Sequence, residues 1–406
     1  MESVKSPVSK SFRLFLIVSA LSGLAMGLSD AIFANYFKEA YEVNAQQRGF
    51  IEFPRELPGV LAMVFLAGLS FLGNIRSAVA AQLLSAAALI VLGFFTPSFS
   101  VMLIFLFIFS SGSHMYMPLG DSIGLSLAEK NASGKALGSV NGVKMGFTMA
   151  AGIITFVGFR FGWFSFSNPI LVFLLAAACF IVTAALLLRL SRIAPKSANP
   201  KTKLVFKHAY LRYYLICALF GGRKQIMIVY SPWVLIELLN FRADTMSILA
   251  VIGAFIGIFF MPRVGRLIDR FGTRNVMMAE AFAFIAIYTA YGLLSRGLAD
   301  GSLLLSGAAI LLVYLLNIID RMTAQFAMVR AIYMRSIALV PEDVTPSLSM
   351  GMSIDHVVAI AGSFVCGVIW HNWGPEYVFV VAGAMSLGNL LVARGIKNTP
   401  HSQSSL

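Results

Sequence analysis

The sequence predicts an all-α membrane protein with twelve transmembrane helices in two six-helix bundles. Three observations predict it. The 406 residues are 58% hydrophobic and only 12% charged, about half the roughly 25% charged share of a soluble domain. Apolar runs of about 20 residues, the length a helix needs to cross a bilayer, recur along the chain. One polar, basic, Pro-containing stretch, Ser191 to Lys207, divides those runs near the middle.

The first half places spans near 13–36, 47–70, 77–95, 100–124, 137–158 and 168–190. The second places them near 209–236, 245–262, 274–294, 303–327, 346–368 and 374–394. The expected organisation is a cytoplasmic tail over 1–12, a bundle over 13–190, a linker over 191–208, a bundle over 209–394 and a tail over 395–406. The first run begins near Phe12 and no small-residue cleavage site follows it, so it reads as a retained helix. Short connections make neighbouring spans antiparallel. Phe and Gly, 34 of each, suit helices packed closely in lipid.

The formal net charge of +13 raises the question of nucleic acid. The Lys and Arg residues sit in short segments between apolar runs, which is a topology signal, so no nucleic-acid partner is expected. With the N-terminus inside, the inner segments hold 21 of them. The outer segments hold only Lys38, Arg48, Arg55, Arg160, Arg242 and Arg296. The asymmetry places both termini in the cytoplasm of a bacterial-type inner membrane. Cys179, Cys217 and Cys366 fall inside apolar runs and form no metal-ligand spacing. There is no nucleotide-binding loop, zinc spacing, Ser-His-Asp order or lipid-attachment signal. Neither an enzyme nor a cofactor or metal is expected.

The halves repeat weakly. LIVSALSG from Leu16 and LICALFGG from Leu215 match at Leu16, Ile17 and Gly23 against Leu215, Ile216 and Gly222, an offset of 199. At an offset of 211, Leu137 meets Leu348 and Lys144 meets Asp355. Parallel half-repeats are a transporter architecture. Between spans eight and nine lies GRLIDRFGTR, Gly265 to Arg274, which fits G-x-x-x-D-x-x-G-x-R. In this motif and over nearly its whole length the chain resembles the major facilitator superfamily. Gly265 and Gly272 allow a tight turn, and Asp269 can pair with Arg or a helix N-terminus. Gly265, Asp269, Gly272 and Arg274 are the expected gating motif. The first-half turn, AGLSFLGNIRSA, keeps Arg76 but reads as having Phe71 where an Asp is expected. Gly138, Gly142, Gly146 and Gly152 on the fifth span suggest close helix packing.

The resemblance implies a secondary transporter working by alternating access, with spans one, four, seven and ten around a central cavity. Charge at membrane depth costs at least about 2.5 kcal/mol per group, so each such residue is a candidate. The seventh span carries Gly221-Gly222-Arg223-Lys224-Gln225 near the midplane. Two adjacent cations there suit an anionic substrate group, gripped bidentately by Arg and as a point charge by Lys. The expected substrate-binding set is Arg223, Lys224, Arg321, Lys144 and His114. Asp30, Asp320, Asp355 and His356 form the expected proton-coupling set, because carboxylates and imidazoles with shifted affinities take up and release protons. Arg55-Glu56, between Pro54 and Pro58, is a further charged pair. Internal salt bridges, such as Asp320 with Arg223 or Asp355 with Lys144, are the structural alternative. The expectation is a small, anionic organic solute carried with protons as the coupling ion. The competing readings are a proton-driven drug efflux antiporter, with Met- and Phe-rich spans lining its pocket, and a non-transporting receptor or scaffold on the same fold.

Overall fold

The structure is a computed structural model, and it describes residues 7–128, 133–194, 206–303, 307–323, 327–340 and 343–396. The start of the expected N-terminal tail, most of the expected linker and the end of the C-terminal tail lie outside those residues.

The first half of the chain contains α1 (Pro7–Asp30), α2 (Phe33–Tyr41), α3 (Ala45–Gly68), α4 (Asn74–Phe94), α5 (Phe99–Ser126), α6 (Ser133–Arg160) and α7 (Leu171–Ile193). The second contains α8 (Leu211–Trp233), α9 (Ala243–Ala299), α10 (Gly307–Thr323), α11 (Ala327–Ile337), α12 (Val344–Trp373) and α13 (Pro375–Arg394). Helix lies within each of the twelve expected spans, residues 304–306 and 324–326 of the tenth lying outside the described residues. Among the described residues nine helices are long and apolar enough to cross a membrane, α1 and α2 counting as one and the two arms of α9 as two. Neither α3 nor α8 is among them. α3 carries Arg48, Glu52, Arg55 and Glu56, and α8 carries Arg212, Arg223 and Lys224. These charges lower hydropathy in the helices that hold the polar chemistry.

The chain divides into two compact units. The first comprises Met1–Glu42, Leu57–Lys201 and Ala243–Ile248; the second comprises Val43–Glu56, Thr202–Arg242 and Leu249–Leu406. In the first unit α1 packs on α6 and α7, and α4 on α5 and α7. Phe15, Val18, Ala81, Met115, Leu119 and Leu187 form part of its core. In the second unit α8 packs on α12 and α13. Tyr213, Cys217, Val264, Ile268, Val329 and Met334 contribute to that core.

Lipid supplies no hydrophobic drive for helix association, so close packing must. At Gly23 of α1 an added Cβ would strike the Lys144 carbonyl of α6. The Thr148 hydroxyl also donates to the Gly23 carbonyl at 3.1 Å. The Gly stripe of α6 behaves otherwise. A Cβ on Gly138, Gly142 or Gly146 would meet nothing within 4 Å, and all three are exposed. In this conformation these three glycines do not mediate a close helix approach.

α9 is interrupted at Gly272, where φ is 77° and ψ is 160°. Gly73, which opens α4, has φ 75° and ψ 161°. The two glycines are 199 positions apart, the offset of the Leu16/Leu215 repeat. Aligning them puts Ser70, not Phe71, at the place of Asp269. The sequence comparison alone was out by one residue, because Arg76 and Arg274 do not occupy equivalent positions.

Candidate functional site

Three consecutive residues of α8 reach three different helices. Successive side chains on an α-helix are about 100° apart, so Arg223, Lys224 and Gln225 fan out. The Arg223 Nη2 donates to Glu280 Oε1 of α9 at 2.6 Å. Lys224 Nζ donates to Asp355 Oδ2 of α12 at 2.7 Å. Gln225 Nε2 donates to Glu52 Oε2 of α3 at 2.7 Å and approaches Glu56 Oε1 at 3.4 Å. All of these residues belong to the second unit.

The Arg223 side chain is 1% exposed and Glu280 9%. The guanidinium lies over the Phe284 ring, 3.5 Å from its centroid, and 4.9 Å from that of Phe220. Arg223 is thus almost wholly shielded from solvent in this conformation. Removing one partner of a buried pair of this kind leaves an uncompensated charge, at about 3–5 kcal/mol.

The second pair is more open, with Lys224 31% and Asp355 13% exposed. Asp355 Oδ1 is buried and has no hydrogen-bond partner. A Cβ on Gly221 would collide with that same oxygen. The glycine one turn below Lys224 therefore makes room for the carboxylate.

Around Gln225 lies a chain of ionisable groups. Glu52, fully buried, accepts from Arg48 at 2.5 Å and from Arg55 at 3.0 Å. Glu56 Oε2 lies 2.7 Å from His356 Nδ1, and which ring nitrogen carries the proton is not fixed by geometry alone.

The other expected residues are distributed as follows. Lys144 is half-buried on α6, in the first unit, so Asp355 pairs with Lys224 and not with Lys144. His114 of α5 has its Nδ1 3.0 Å from both the Ser110 hydroxyl and carbonyl. Asp30 is exposed at the end of α1, and Asp320 is half-buried on α10. Arg321 follows it on α10, and its side chain lies outside the described residues. Gly265 and Arg274 are half-buried on α9, Asp269 is exposed, and Gly272 supplies the break. Sequence reasoning missed Glu280 and Glu52. Glu280 was detectable, being a lone carboxylate inside the apolar run 274–294. The Arg48–Glu52 spacing of four residues was another readable signal.

A sequence model described as Major Facilitator Superfamily matches residues 15–338. The chain belongs to the Major Facilitator Superfamily, and is a membrane transporter by fold, not an enzyme. No curated protein matches the sequence. Among solved structures, the nucleoside transporter NupG is similar at 14% identity and TM-score 0.74, over 95% of this chain and 100% of that one. A D-xylose-proton symporter is similar at 15% identity and TM-score 0.70, over 95% and 98%. A bacterial homologue of the lysosomal transporter Spinster, inward-facing and occupied, is similar at 14% identity and TM-score 0.69, over 96% of each chain.

Proposed function

We propose that the protein is a secondary active transporter of a small anionic organic solute, coupled to protons, in a bacterial inner membrane with both termini cytoplasmic. The observation that carries this reading is the Lys224–Asp355 pair. Its lysine is a third exposed while the adjacent Arg223 is sealed against Glu280.

Lys224 donates to one oxygen of Asp355, and among the described residues the second oxygen has no donor. A substrate carboxylate or phosphate that draws Lys224 away leaves a half-buried carboxylate without its cation. Such a charge is costly at membrane depth, and a proton neutralises it. The empty site holds one cation and one carboxylate. The loaded site holds one cation, one substrate anion and a protonated Asp355, so charge balances and one proton accompanies each anion. Arg223 serves this arrangement by fixing α8 against α9. The Gly265–Arg274 motif, with its break at Gly272, is the proposed gate element, and Lys144, Arg321, His114, Asp30 and Asp320 are accessory positions. A xylose-proton symporter on the same fold makes proton coupling a reasonable reading for this chain.

Counterflow in proteoliposomes across organic acids, phosphate esters and neutral sugars tests the proposal. Exchange confined to anionic members, with accumulation that follows an imposed pH gradient, is the expected result. Exchange of neutral sugars alone, or accumulation that follows sodium, would overturn it.

A further inference from the structure

Within the second unit a small cavity lies among α8, α9, α11 and α13. Ile216, Phe220, Arg223, Met277, Glu280 and Arg330 line it together with Ala281, Asn389 and Ala393. Its volume of about 10 Å³ is on the scale of one water or one monatomic ion, and far too small for an organic solute.

The lining is unbalanced in charge. Two guanidiniums, Arg223 and Arg330, meet a single carboxylate, Glu280, which pairs with Arg223. Among the described residues no carboxylate lies within ion-pair distance of Arg330; its guanidinium sits over the Phe220 ring, 3.6 Å from the centroid. The hydrogen-bonding is unbalanced too. Arg223 Nε and Nη1 and Arg330 Nε are buried donors without acceptors, and Asn389 Oδ1 is a buried acceptor without a donor. Buried N–H groups of charged side chains are costly when left unpaired. The Asn389 amide presents its NH₂ instead when rotated by 180°.

We propose that this cavity is an internal binding site for a monovalent monatomic anion of the chloride class. Such an ion accepts from Arg223 and Arg330, offsets the surplus positive charge and receives a further donor from the rotated Asn389 amide. A water can donate to Asn389 and to the Glu280 carboxylate, but it leaves the surplus positive charge in place. The site lies away from Lys224 and Asp355, so it is a structural ion site that ties four helices of one unit together. It does not depend on which solute is transported.

The test uses the full-length protein in detergent. The thermal midpoint is measured as chloride replaces gluconate at constant ionic strength, and crystals grown in bromide are examined for anomalous scattering. A saturable rise of the midpoint with chloride, and a bromide peak in contact with Arg223 and Arg330, are expected. Arg330→Met is expected to require at least tenfold more chloride for half the shift, and Asn389→Leu to raise that concentration less. If neither variant folds, the wild-type measurements decide by themselves. No anion-specific shift and no bromide peak in the wild type would overturn the proposal and leave an ordinary water in the cavity.

Discussion

Gly73 and Gly272, 199 residues apart, hold the same backbone conformation, φ 75° and ψ 161° in one and φ 77° and ψ 160° in the other. This region of φ/ψ space is open in practice only to glycine, and other residues held there cost about 1–3 kcal/mol. A Cβ on Gly73 would meet nothing within 4 Å, so the cost of substitution there is purely conformational. Gly73→Ala is expected to lower stability by about 1–3 kcal/mol in thermal unfolding. Gly68→Ala, at a site with equal space and no positive φ, serves as the control. Equal stability of the two variants would show that the turn tolerates another conformation.

The Lys224–Asp355 pair makes a sharper prediction about coupling. Asp355→Asn is expected to abolish accumulation driven by a pH gradient while sparing exchange. Lys224→Ala is expected to weaken anion binding at least tenfold, about 1.4 kcal/mol. Gly221→Ala, which drives a methyl group against Asp355 Oδ1, should impair transport without altering any charged residue. Normal pH-driven accumulation by Asp355→Asn would exclude this carboxylate from coupling.

Arg223 is predicted to act through stability. Arg223→Ala leaves Glu280 buried without its partner and should destabilise the protein by about 3–5 kcal/mol. Replacing both by apolar residues, Arg223→Met with Glu280→Leu, should recover much of the loss. A binding defect in Arg223→Lys at unchanged thermal stability would instead put the guanidinium in contact with substrate.

Outside the spans, the end of the linker is anchored by an ion pair with a defined pH window. Lys207 Nζ donates to Asp343 at 2.7 and 2.6 Å, and the buried Tyr210 hydroxyl donates to the same carboxylate at 2.5 Å. The Lys207 hydrogen bond, followed by that of Tyr210, holds the Asp343 carboxyl below the usual carboxylate range. The Asp343 hydrogen bond holds Lys207 above the usual lysine range. The carboxylate's contribution is complete above the ordinary aspartate range and is lost as pH falls through its lowered value. The lysine's is complete below the ordinary lysine range and is lost as pH rises through its raised value. Thermal midpoints measured from pH 3 to 11 should therefore hold a plateau between those limits. Asp343→Asn should lower that plateau and remove this contribution to the acid limb. An acid limb identical to wild type would contradict the assignment.

Asp269 is exposed on α9, three residues before the break at Gly272. If the motif gates the cycle, Asp269→Asn shifts the balance between conformations with little effect on bound solute. Turnover is expected to fall at least tenfold while the equilibrium affinity for solute stays within twofold. A matching loss of affinity would move Asp269 into the binding site.

The apolar spans and the candidate charges are legible in the sequence alone. Hydropathy and positive charge are properties of local chain segments, so a one-dimensional reading captures them. It also singled out the Gly221–Gln225 run, because adjacent charges in an apolar stretch are conspicuous. The tertiary structure decided which groups meet. Arg223, Lys224 and Gln225 are neighbours in sequence, yet their side chains point about 100° apart and reach Glu280, Asp355 and Glu52 on three different helices. Whether a cation faces a partner or an open space depends on the helix packed beside it. For the same reason the Gly138, Gly142 and Gly146 stripe looked like a packing face and is exposed, while the single Gly221 carries the close approach to Asp355. Spacing along one helix gives its faces, and only the neighbouring helices give those faces their partners.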